Sequence, residues 1–552
     1  MPSFVRRASC AILAAVVGAC SPAAPTASIV IFGKVWTGDP AHPTATAIAV
    51  AGDTILAVGD SADVAAWVGR GTEVIHAPGL VVPGFTDGHS HFIDGGFQLA
   101  SIDLRDARTP EEFVRRIADQ ARRMPKGSWI LGGDWDHEWW PGGPLPTRAM
   151  IDSVTPDNPV WISRLDGHMA LANTAALRIA GVTRDSRQPV GGVIVRDARG
   201  EPTGIFKDNA MALVYPSIPA RTPAETDSAL TRAMRYAASL GVTSTAHVSA
   251  GWGDLAAYRR LDALGSMTTR VTVFPPLEEW RAVADTIARA GRGDAWVRIH
   301  GVKGYVDGSL GSTTALLYGT YLDDRSSHGQ QVTSTADLRS WISSADSAGL
   351  QVAVHAIGDS ANGLLLTIYD EVARAHGARD RRFRIEHAQH LTFPQIAALA
   401  RQHVIASMQP YHAIDDGRWA AKRLDAARLQ GTYAFRALLD SGAVLAFGSD
   451  WSVATLDPLW GIYAAVTRRT LDDQNPLGWI PAQKITVEEA LRAYTVGDTY
   501  ALFRERELGS LTPGKLADIA VIDRDLLTMP AESLAHARVA MTIAGGRVVF
   551  RR

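Results

Sequence analysis

The chain of 552 residues is poor in cysteine: it has only Cys10 and Cys20, and both lie in the N-terminal segment. The remainder cannot form an internal disulfide, so its stability must come from a hydrophobic core. The formal net charge is -2, and no basic stripe stands out, which argues against a nucleic-acid partner. Because 46% of the residues are apolar, we expect a globular protein of more than one domain that binds a small molecule.

The N-terminal segment has the order of a secretion signal. Arg6 and Arg7 precede an apolar run at 11–17, and the small residues VGAC follow at 17–20. VGAC is similar to a bacterial lipobox, which predicts a signal peptide at 1–20, a lipid on Cys20 and a tether at 21–28. The alternative is an ordinary signal peptide cleaved nearby. In both cases we expect an exported protein. The lipobox further predicts a lipoprotein of the bacterial cell envelope that faces the periplasm, with the lipid anchor as its only membrane contact.

The two ends of the body of the chain are rich in β-branched runs and turn residues. One such segment covers 29–82 and the other 501–552. Two β-rich halves that flank a long middle predict one small β-sandwich built from both termini.

The middle of the chain alternates strand-like and helix-like segments. This order is typical of a parallel (β/α)8 barrel, an α/β TIM-like fold, which we place at 83–500. A gap at about 100–221 is too long for a loop, so we expect an inserted lid subdomain there. The strand-like runs lie at 80–82, 242–248, 270–274, 297–306, 351–356, 383–385, 404–408 and 444–447.

Histidines, a lysine and an aspartate follow separate predicted strands. The sharpest motif is PGFTDGHSH at 83–91, in which His89 and His91 lie two apart, so both imidazoles can reach one ion. Active sites of parallel barrels form at the carboxyl ends of the strands. Further candidates in such positions are Lys303, His355, His387 and Asp450.

This ordered set resembles the amidohydrolase superfamily, and within it the YtcJ-like branch that includes N-substituted formamide deformylases. The resemblance covers nearly the whole body of the chain. It rests on the HxH motif after PGF, on VKGYVDGS at 302–309, on the EH pair at 386–387 and on GSDW at 448–451. Lesser blocks are GDWD at 133–136, DGH at 166–168 and GEPTG at 200–204.

The resemblance implies a role for each candidate ligand. His89 and His91 would bind one metal, His355 and His387 a second, and Lys303, carboxylated on its amine, would bridge them. Asp450 would hold the attacking water, take its proton and pass it to the leaving nitrogen. From the residues alone, the alternatives are a neutral or ion-paired core lysine beside Asp307 for Lys303, and a loop carboxylate that caps a nearby helix for Asp450.

Four further residues are candidates for contact with the substrate. His168, in the DGH block, either donates to the substrate carbonyl or is a packing histidine. Trp135 and Trp451 predict an apolar or aromatic pocket, although aromatic residues in a lid can also form its own core. Tyr305 lies near Lys303, and a structural role is the alternative for it. Glu386 and Asp359 could orient the neighbouring imidazoles, or each could be a salt-bridge partner or a helix cap.

The expected function is a metal-dependent hydrolase of a non-peptide carbon–nitrogen bond, in an amide or N-acyl group of a small molecule. The same site could serve a cyclic amide, an ester or a deamination, and a non-catalytic lipoprotein that binds metal or ligand is the alternative from another class. The cofactor is a divalent metal, one or two Zn²⁺ by ligand type, with manganese, iron or cobalt as alternatives. The sequence leaves monomer and homo-oligomer open.

Overall fold

The computed structural model describes residues 26–552. The predicted leader, with Cys10 and Cys20, lies outside them. Four strands open this part of the chain, and a fifth carries the HxH motif. The first four are β1 (Ile29–Trp36), β2 (Thr44–Ala51), β3 (Thr54–Gly59) and β4 (Glu73–Pro83), and the fifth is β5 (Phe85–Ser90).

The segment after β5 forms a sheet of its own. Its six strands take the order β10-β11-β9-β8-β7-β6, with two buried apolar clusters of their own around them. The strands are β6 (Ile102–Asp103), β7 (Ile130–Trp135), β8 (Val160–Arg164), β9 (Met169–Ala172), β10 (Gly192–Arg196) and β11 (Pro202–Asp208). This sheet, called the insertion below, separates β5 from the rest of the barrel.

The remaining barrel strands run parallel and are almost wholly buried, which explains why they read as continuous apolar runs. They are β12 (Val242–Val248), β13 (Arg270–Phe274), β14 (Val297–Ile299), β15 (Gly301–Tyr305), β16 (Gln351–Ala356), β17 (Arg384–His387), β18 (Ile405–Met408) and β19 (Leu445–Phe447). One sheet has the order β14-β13-β12-β5 and the other β15-β16-β17-β18-β19. Single-residue bridges join the two sheets, between Pro276 and Lys303 and between Ser90 and Trp451. The result is a TIM-barrel-like α/β fold.

Two details differ from the expected strand set. The run at 80–82 is not the first barrel strand: it belongs to β4, where Val81 and Val82 pair with the C-terminal strand. The barrel begins instead with β5, whose Gly and Asp residues give a weak strand signal. The single run at 297–306 is divided at His300 into β14 and β15.

The two ends of the described chain meet in one sheet. The C-terminal strands are β20 (Ile519–Ile522), β21 (Val539–Ala544) and β22 (Arg547–Arg551). Together with the first strands they form a seven-stranded sheet in the order β22-β21-β20-β4-β1-β2-β3. The joining element is β20, which is antiparallel to β4.

Helices cover the barrel strands and the insertion, and none within residues 26–552 is long and apolar enough to cross a membrane. In chain order, the α-helices are α1 (Ser61–Val64), α2 (Phe92–Gln98), α3 (Pro110–Arg123), α4 (Arg148–Ile151), α5 (Thr174–Ala180), α6 (Pro223–Ser239), α7 (Trp252–Ala263), α8 (Trp280–Ala290), α9 (Thr335–Ser347), α10 (Asp359–His376), α11 (Phe393–Arg401), α12 (Pro410–Asp416), α13 (Ala426–Leu429), α14 (Phe435–Asp440), α15 (Pro458–Thr467), α16 (Val487–Arg492) and α17 (Asp498–Ala501).

Candidate metal centre

The HxH motif meets the aspartate that follows the last barrel strand. β5 ends at Ser90, between the two histidines, and Asp450 lies just after β19. One carboxylate oxygen, Asp450 Oδ1, is 3.3 Å from His89 Nε2 and 3.3 Å from His91 Nε2. His89 is fully buried, whereas a quarter of the His91 side chain is exposed. The first and last barrel strands thus place three potential ligands around one point.

The histidines of β16 and β17 complete the group on the other side of the barrel mouth. The ring centres of His355 and His387 lie 4.6 Å apart, and that of His387 lies 4.9 Å from that of His89. Both side chains are almost fully buried. Residues from β5, β16, β17 and β19 that are far apart in sequence therefore form one cluster.

Lys303 lies on β15 at the same end of the barrel and is buried. Its ammonium is 4.3 Å from the centre of the Tyr305 ring. Across residues 26–552 we find no carboxylate within ion-pair distance of Lys303. The alternative pairing with Asp307 is not seen, because Asp307 accepts hydrogen bonds from the backbone N–H groups of Ile357 and Gly358.

Three of the histidines have one ring nitrogen held by the protein. Glu386 contacts His89 Nδ1, and Gln409 Oε1 lies 2.8 Å from His387 Nδ1. The Gly308 carbonyl lies 3.0 Å from His355 Nε2. Such contacts fix the ring orientation and leave the other nitrogen for a ligand.

The predicted orienting role thus fits Glu386, which is itself held by Arg384 at 2.7 Å. Asp359 instead begins α10 and pairs with Arg428 at 3.2 Å, away from the ligand imidazoles. For this residue the salt-bridge alternative applies.

The protonation states of His355, His387 and Asp450 favour the binding of a metal cation. Burial, His168 and Lys303 hold the pKa of the His355 imidazole well below its ordinary value. Burial and His355 do the same for the pKa of His387. Burial favours protonation of Asp450, but His89 outweighs it and holds the pKa of this carboxyl well below the ordinary value. Neutral imidazoles and an ionised carboxylate are the forms that bind metals.

The chemistry of this donor set fits a divalent metal. His89 Nε2 is buried and has no hydrogen-bond partner in the described part of the chain, and an orphaned buried nitrogen calls for a partner. Two groups have ligand atoms within 4.8 Å of one another, and they share Asp450. The first is His89, His91 and Asp450, and the second is His387, His412 and Asp450.

His412 was not among the predicted site residues. It lies on α12, just after β18, and its Nε2 atom is buried without a partner among residues 26–552. The signal that identified the other candidates, a histidine just beyond a predicted strand, could have found it.

A pocket opens from this cluster. It is lined by Asp136, Arg164, Leu165, Asp166, His168, Ser309, Leu310, Gly311, His355, Ile357, His387, Gln389, His412, Asp415, Asp416, Trp419, Asp450 and Val453. The insertion contributes the residues numbered up to His168, and the barrel contributes the rest. The pocket therefore lies between the insertion and the barrel mouth.

His168 faces this pocket with its ring centre 4.9 Å from that of His355. Its Nδ1 atom lies 2.7 Å from Asp208 Oδ1. Burial disfavours the charged ring, but the hydrogen bond to Asp208 prevails, and the pKa of His168 is raised. His168 can thus present an N–H donor towards the metal ligands.

The aromatic candidates do not line the pocket. Trp135 is fully buried in the insertion core, packs against Phe113 and donates to the Ile162 carbonyl at 3.1 Å. Trp451 is 2% exposed and packs edge-on against Phe92. The structure thus corrects the expected substrate contacts of both tryptophans, because these rings fill cores instead.

Tyr305 lies beside the cluster but also outside the pocket lining. Its hydroxyl is hydrogen-bonded to Ser249 at 2.7 Å, and its ring centre is 5.3 Å from that of His355. This arrangement makes Tyr305 a wall behind Lys303 and His355 and gives no support for direct substrate contact.

Comparison with known proteins identifies the family. The sequence matches the amidohydrolase family over residues 73–550. The chain belongs to this family. It is 40% identical to the protein LONG AFTER FAR-RED 3 of Arabidopsis thaliana over 95% of this chain and 91% of that one. It is 31% identical to the "Putative amidohydrolase YtcJ" of Bacillus subtilis, over 87% and 91% of the two chains.

Two further relatives agree with this identification. The N-substituted formamide deformylase of Arthrobacter pascens is 28% identical over 95% of this amidohydrolase and 98% of its own length. The crystal structure of an uncharacterised metal-dependent hydrolase from Pyrococcus horikoshii superimposes with a TM-score of 0.73 at 28% identity, covering 91% of this amidohydrolase and 99% of that chain. This amidohydrolase is an enzyme, a metal-dependent hydrolase, and the resemblance to the YtcJ-like branch is confirmed.

Proposed function

We propose that this amidohydrolase hydrolyses a non-peptide carbon–nitrogen bond, in an amide or N-acyl group of a small molecule. The observation that carries the proposal is the position of Asp450, whose single oxygen Oδ1 lies 3.3 Å from both histidines of the HxH motif. A protein that only binds metal or ligand would be free to lose this carboxylate, which matters more for proton transfer than for affinity. The 28% identical N-substituted formamide deformylase also favours this bond type.

The ligand roles follow from the residues that converge. His89 and His91 would hold one divalent metal, and His355 and His387 a second, with Lys303 between them if its amine is carboxylated. Zinc is the metal that this donor set favours. A divalent metal supplies activated water at neutral pH and polarises the scissile carbonyl.

The chain's own groups perform the proton transfers. Asp450 is ionised, so it can accept a proton from the attacking water and return it to the leaving nitrogen. His168 presents an N–H towards the same region and would stabilise negative charge that develops on the carbonyl oxygen. Asp208 keeps that ring oriented through its 2.7 Å contact with Nδ1.

The insertion would act as a lid. Two residues just after β7 form ion pairs with the segment that follows α12: Asp136 with Arg418 at 2.7 Å, and Glu138 with Arg423 at 2.6 Å. These contacts lie where the insertion meets the pocket, and they would limit access to small substrates. The β-sandwich expected from the terminal segments stays a prediction.

A substrate screen tests the proposed bond type. The zinc-loaded enzyme would be assayed with matched N-formyl, N-acetyl, lactam, ester and aryl-amine substrates, with Asp450→Asn as the inactive control. We expect N-acyl substrates to be cleaved and Asp450→Asn to abolish the reaction. Cleavage of only the lactam, only the ester or only the amine would favour the corresponding alternative, and no turnover of any kind would favour a binding protein.

We also propose that the protein is exported and lipidated on Cys20. The support is the order of charged, apolar and small residues at 1–20. Labelling with a fatty-acid analogue should mark the wild-type protein and leave Cys20→Ala unmarked. Equal labelling of the two would contradict the proposal.

A further inference from the structure

One carboxylate of the pocket differs from its neighbours in having no cation partner. The pocket wall remote from the HxH motif contains Asp136, Asp166, Asp415 and Asp416. Three of them form ion pairs with arginines: Asp166 with Arg164 at 2.7 Å, Asp136 with both Arg164 and Arg418, and Asp415 with Arg418. Across residues 26–552, Asp416 has no basic side chain within ion-pair distance.

The two oxygens of Asp416 have different surroundings. Oδ2 accepts hydrogen bonds from the Tyr433 hydroxyl at 2.6 Å and from Gln389 Nε2 at 2.8 Å. These two donors fix the orientation of the carboxylate. Oδ1 has no hydrogen-bond partner in the described chain, and the half-buried side chain lines the pocket. The structure therefore presents one oriented, unused acceptor to the contents of the pocket.

The position of Asp416 relative to the metal ligands is set by α12. His412 and Asp416 are four residues apart on this helix, so their side chains lie on the same face, about 6 Å apart along the helix axis. His412 belongs to one of the two candidate metal groups. Asp416 thus lies about one helical turn from His412, and both side chains line the pocket.

We propose that Asp416 is a specificity-determining residue that binds a cationic amine at the end of the substrate remote from the scissile bond. The proposal rests on the proposed function and names its substrate class: N-acyl compounds with a terminal ammonium group. Asp136, Asp166 and Asp415 share the two guanidinium groups of Arg164 and Arg418. With Asp416, this wall therefore has more carboxylates than guanidinium groups, which favours a cation beside Asp416 over an anion. Leu165, Leu310 and Trp419 line the pocket beside them and suit an alkyl chain.

The charge state of Asp416 is compatible with this role. Burial, reinforced by Asp415, raises the pKa of the Asp416 carboxyl to about 7. An alkyl ammonium has an ordinary pKa near 10.4, so both groups are charged between about pH 8 and pH 9. Binding experiments belong in that interval.

Binding can be measured separately from catalysis. The full-length protein with Asp450→Asn, loaded with zinc, would be titrated calorimetrically with three carboxamides of equal length that end in ammonium, hydroxyl or methyl. With Asp416 present, we expect the ammonium ligand to bind about ten- to a hundred-fold more tightly than the other two, as charge-assisted hydrogen bonds do. Equal affinities for ammonium and methyl, or for ammonium and hydroxyl, would overturn the proposal.

A matched pair of variants shows which carboxylate causes the preference for the ammonium ligand. Adding Asp416→Asn, which keeps an acceptor for Tyr433 and Gln389, should remove the preference for ammonium and leave the methyl ligand within about two-fold. Asp415→Asn, which neutralises a carboxylate already paired with Arg418, should keep most of the preference. Retention of the full preference in Asp416→Asn would contradict the proposal. The ligand comparison with Asp416 intact remains decisive if this variant does not fold.

These experiments distinguish a failure of the Asp416 proposal from a failure of the proposed amide hydrolysis. If no amide is hydrolysed but the ammonium preference depends on Asp416, the reaction assignment is wrong and the binding assignment stands. If amides are hydrolysed but the enzyme shows no preference for ammonium ligands, the reaction assignment stands and the role of Asp416 is wrong.

Discussion

His91 Nε2 lies 3.3 Å from Asp450 Oδ1, which joins the segment after the first barrel strand to the segment after the last. His89 reaches the same oxygen at the same distance. This geometry gives Asp450 two separable roles, as part of the ligand group and as the proton carrier.

Replacing Asp450 by asparagine should separate these roles. Asparagine keeps an oxygen at the site but cannot accept a proton, so kcat should fall by about 10²–10⁴-fold. Most of the bound metal should remain, because the histidines are unchanged. Steady-state kinetics and elemental analysis of the same sample test this, and wild-type kcat in a metal-replete variant would refute the role of Asp450.

Gln409 should affect metal affinity without contact with the metal. Its Oε1 atom orients His387 through Nδ1 at 2.8 Å. Gln409→Leu should weaken metal binding by about 10–100-fold in a competition assay with a chelator. The matched control is Gln395→Leu, a buried glutamine that donates to the Asp359 carbonyl at 2.7 Å. Equal losses of metal affinity in the two variants would indicate a general packing defect.

The barrel should depend on one buried ion pair with the C-terminal segment. Arg270 on β13 contacts Asp518 through two hydrogen bonds of 2.8 and 3.0 Å, and both side chains are at most 2% exposed. Asp518→Ala leaves a buried guanidinium unpaired and should lower the free energy of unfolding by about 3–5 kcal/mol.

Chemical denaturation measures the effect of Asp518→Ala. The comparison is Asp473→Ala, which removes the exposed pair with Arg469 and should cost less than about 1 kcal/mol. A similar small loss in Asp518→Ala would show that β20 is not anchored by this contact.

The stability of the protein should decrease as the pH falls below about 6.5. Burial lowers the pKa of both His247 and His390 to about 3. Between pH 6.5 and pH 3 these two histidines are protonated in the unfolded chain but stay neutral in the folded protein. Lowering the pH therefore favours unfolding. Between pH 7 and pH 5, each should contribute about 2 kcal/mol to the loss of unfolding free energy.

Variants of single histidines test the origin of that loss. His390→Gln should reduce the decrease between pH 7 and pH 5 by about 2 kcal/mol. His42→Gln should not alter it, because 84% of the His42 side chain is exposed. An identical pH dependence in wild type and His390→Gln would contradict the assignment.

The parts of this site that sequence predicts well are those that follow a strong local signal. His355 and His387 come directly after buried apolar runs, and a parallel barrel brings the ends of such runs together. β5 was less visible, because Asp87 and Gly88 interrupt its apolar character. His412 lies four residues beyond the predicted strand at 404–408, so the same signal could have found it.

The substrate contacts predicted for the two tryptophans were wrong for a different reason. An aromatic side chain in a lid or loop can face a pocket or a core, and composition does not distinguish these environments. Trp135 contacts Phe113, and Trp451 contacts Phe92, which are partners from distant parts of the chain. Only the tertiary arrangement shows that both rings are internal.

The most direct test of the metal-dependent mechanism is the metal content of the full-length enzyme, purified without chelator and measured by elemental analysis. The two ligand groups that share Asp450 predict about two equivalents of divalent metal per chain. Removal of this metal should abolish hydrolysis, and zinc should restore it. A protein that binds no metal even after reconstitution, or one that hydrolyses its substrate without metal, would contradict the account.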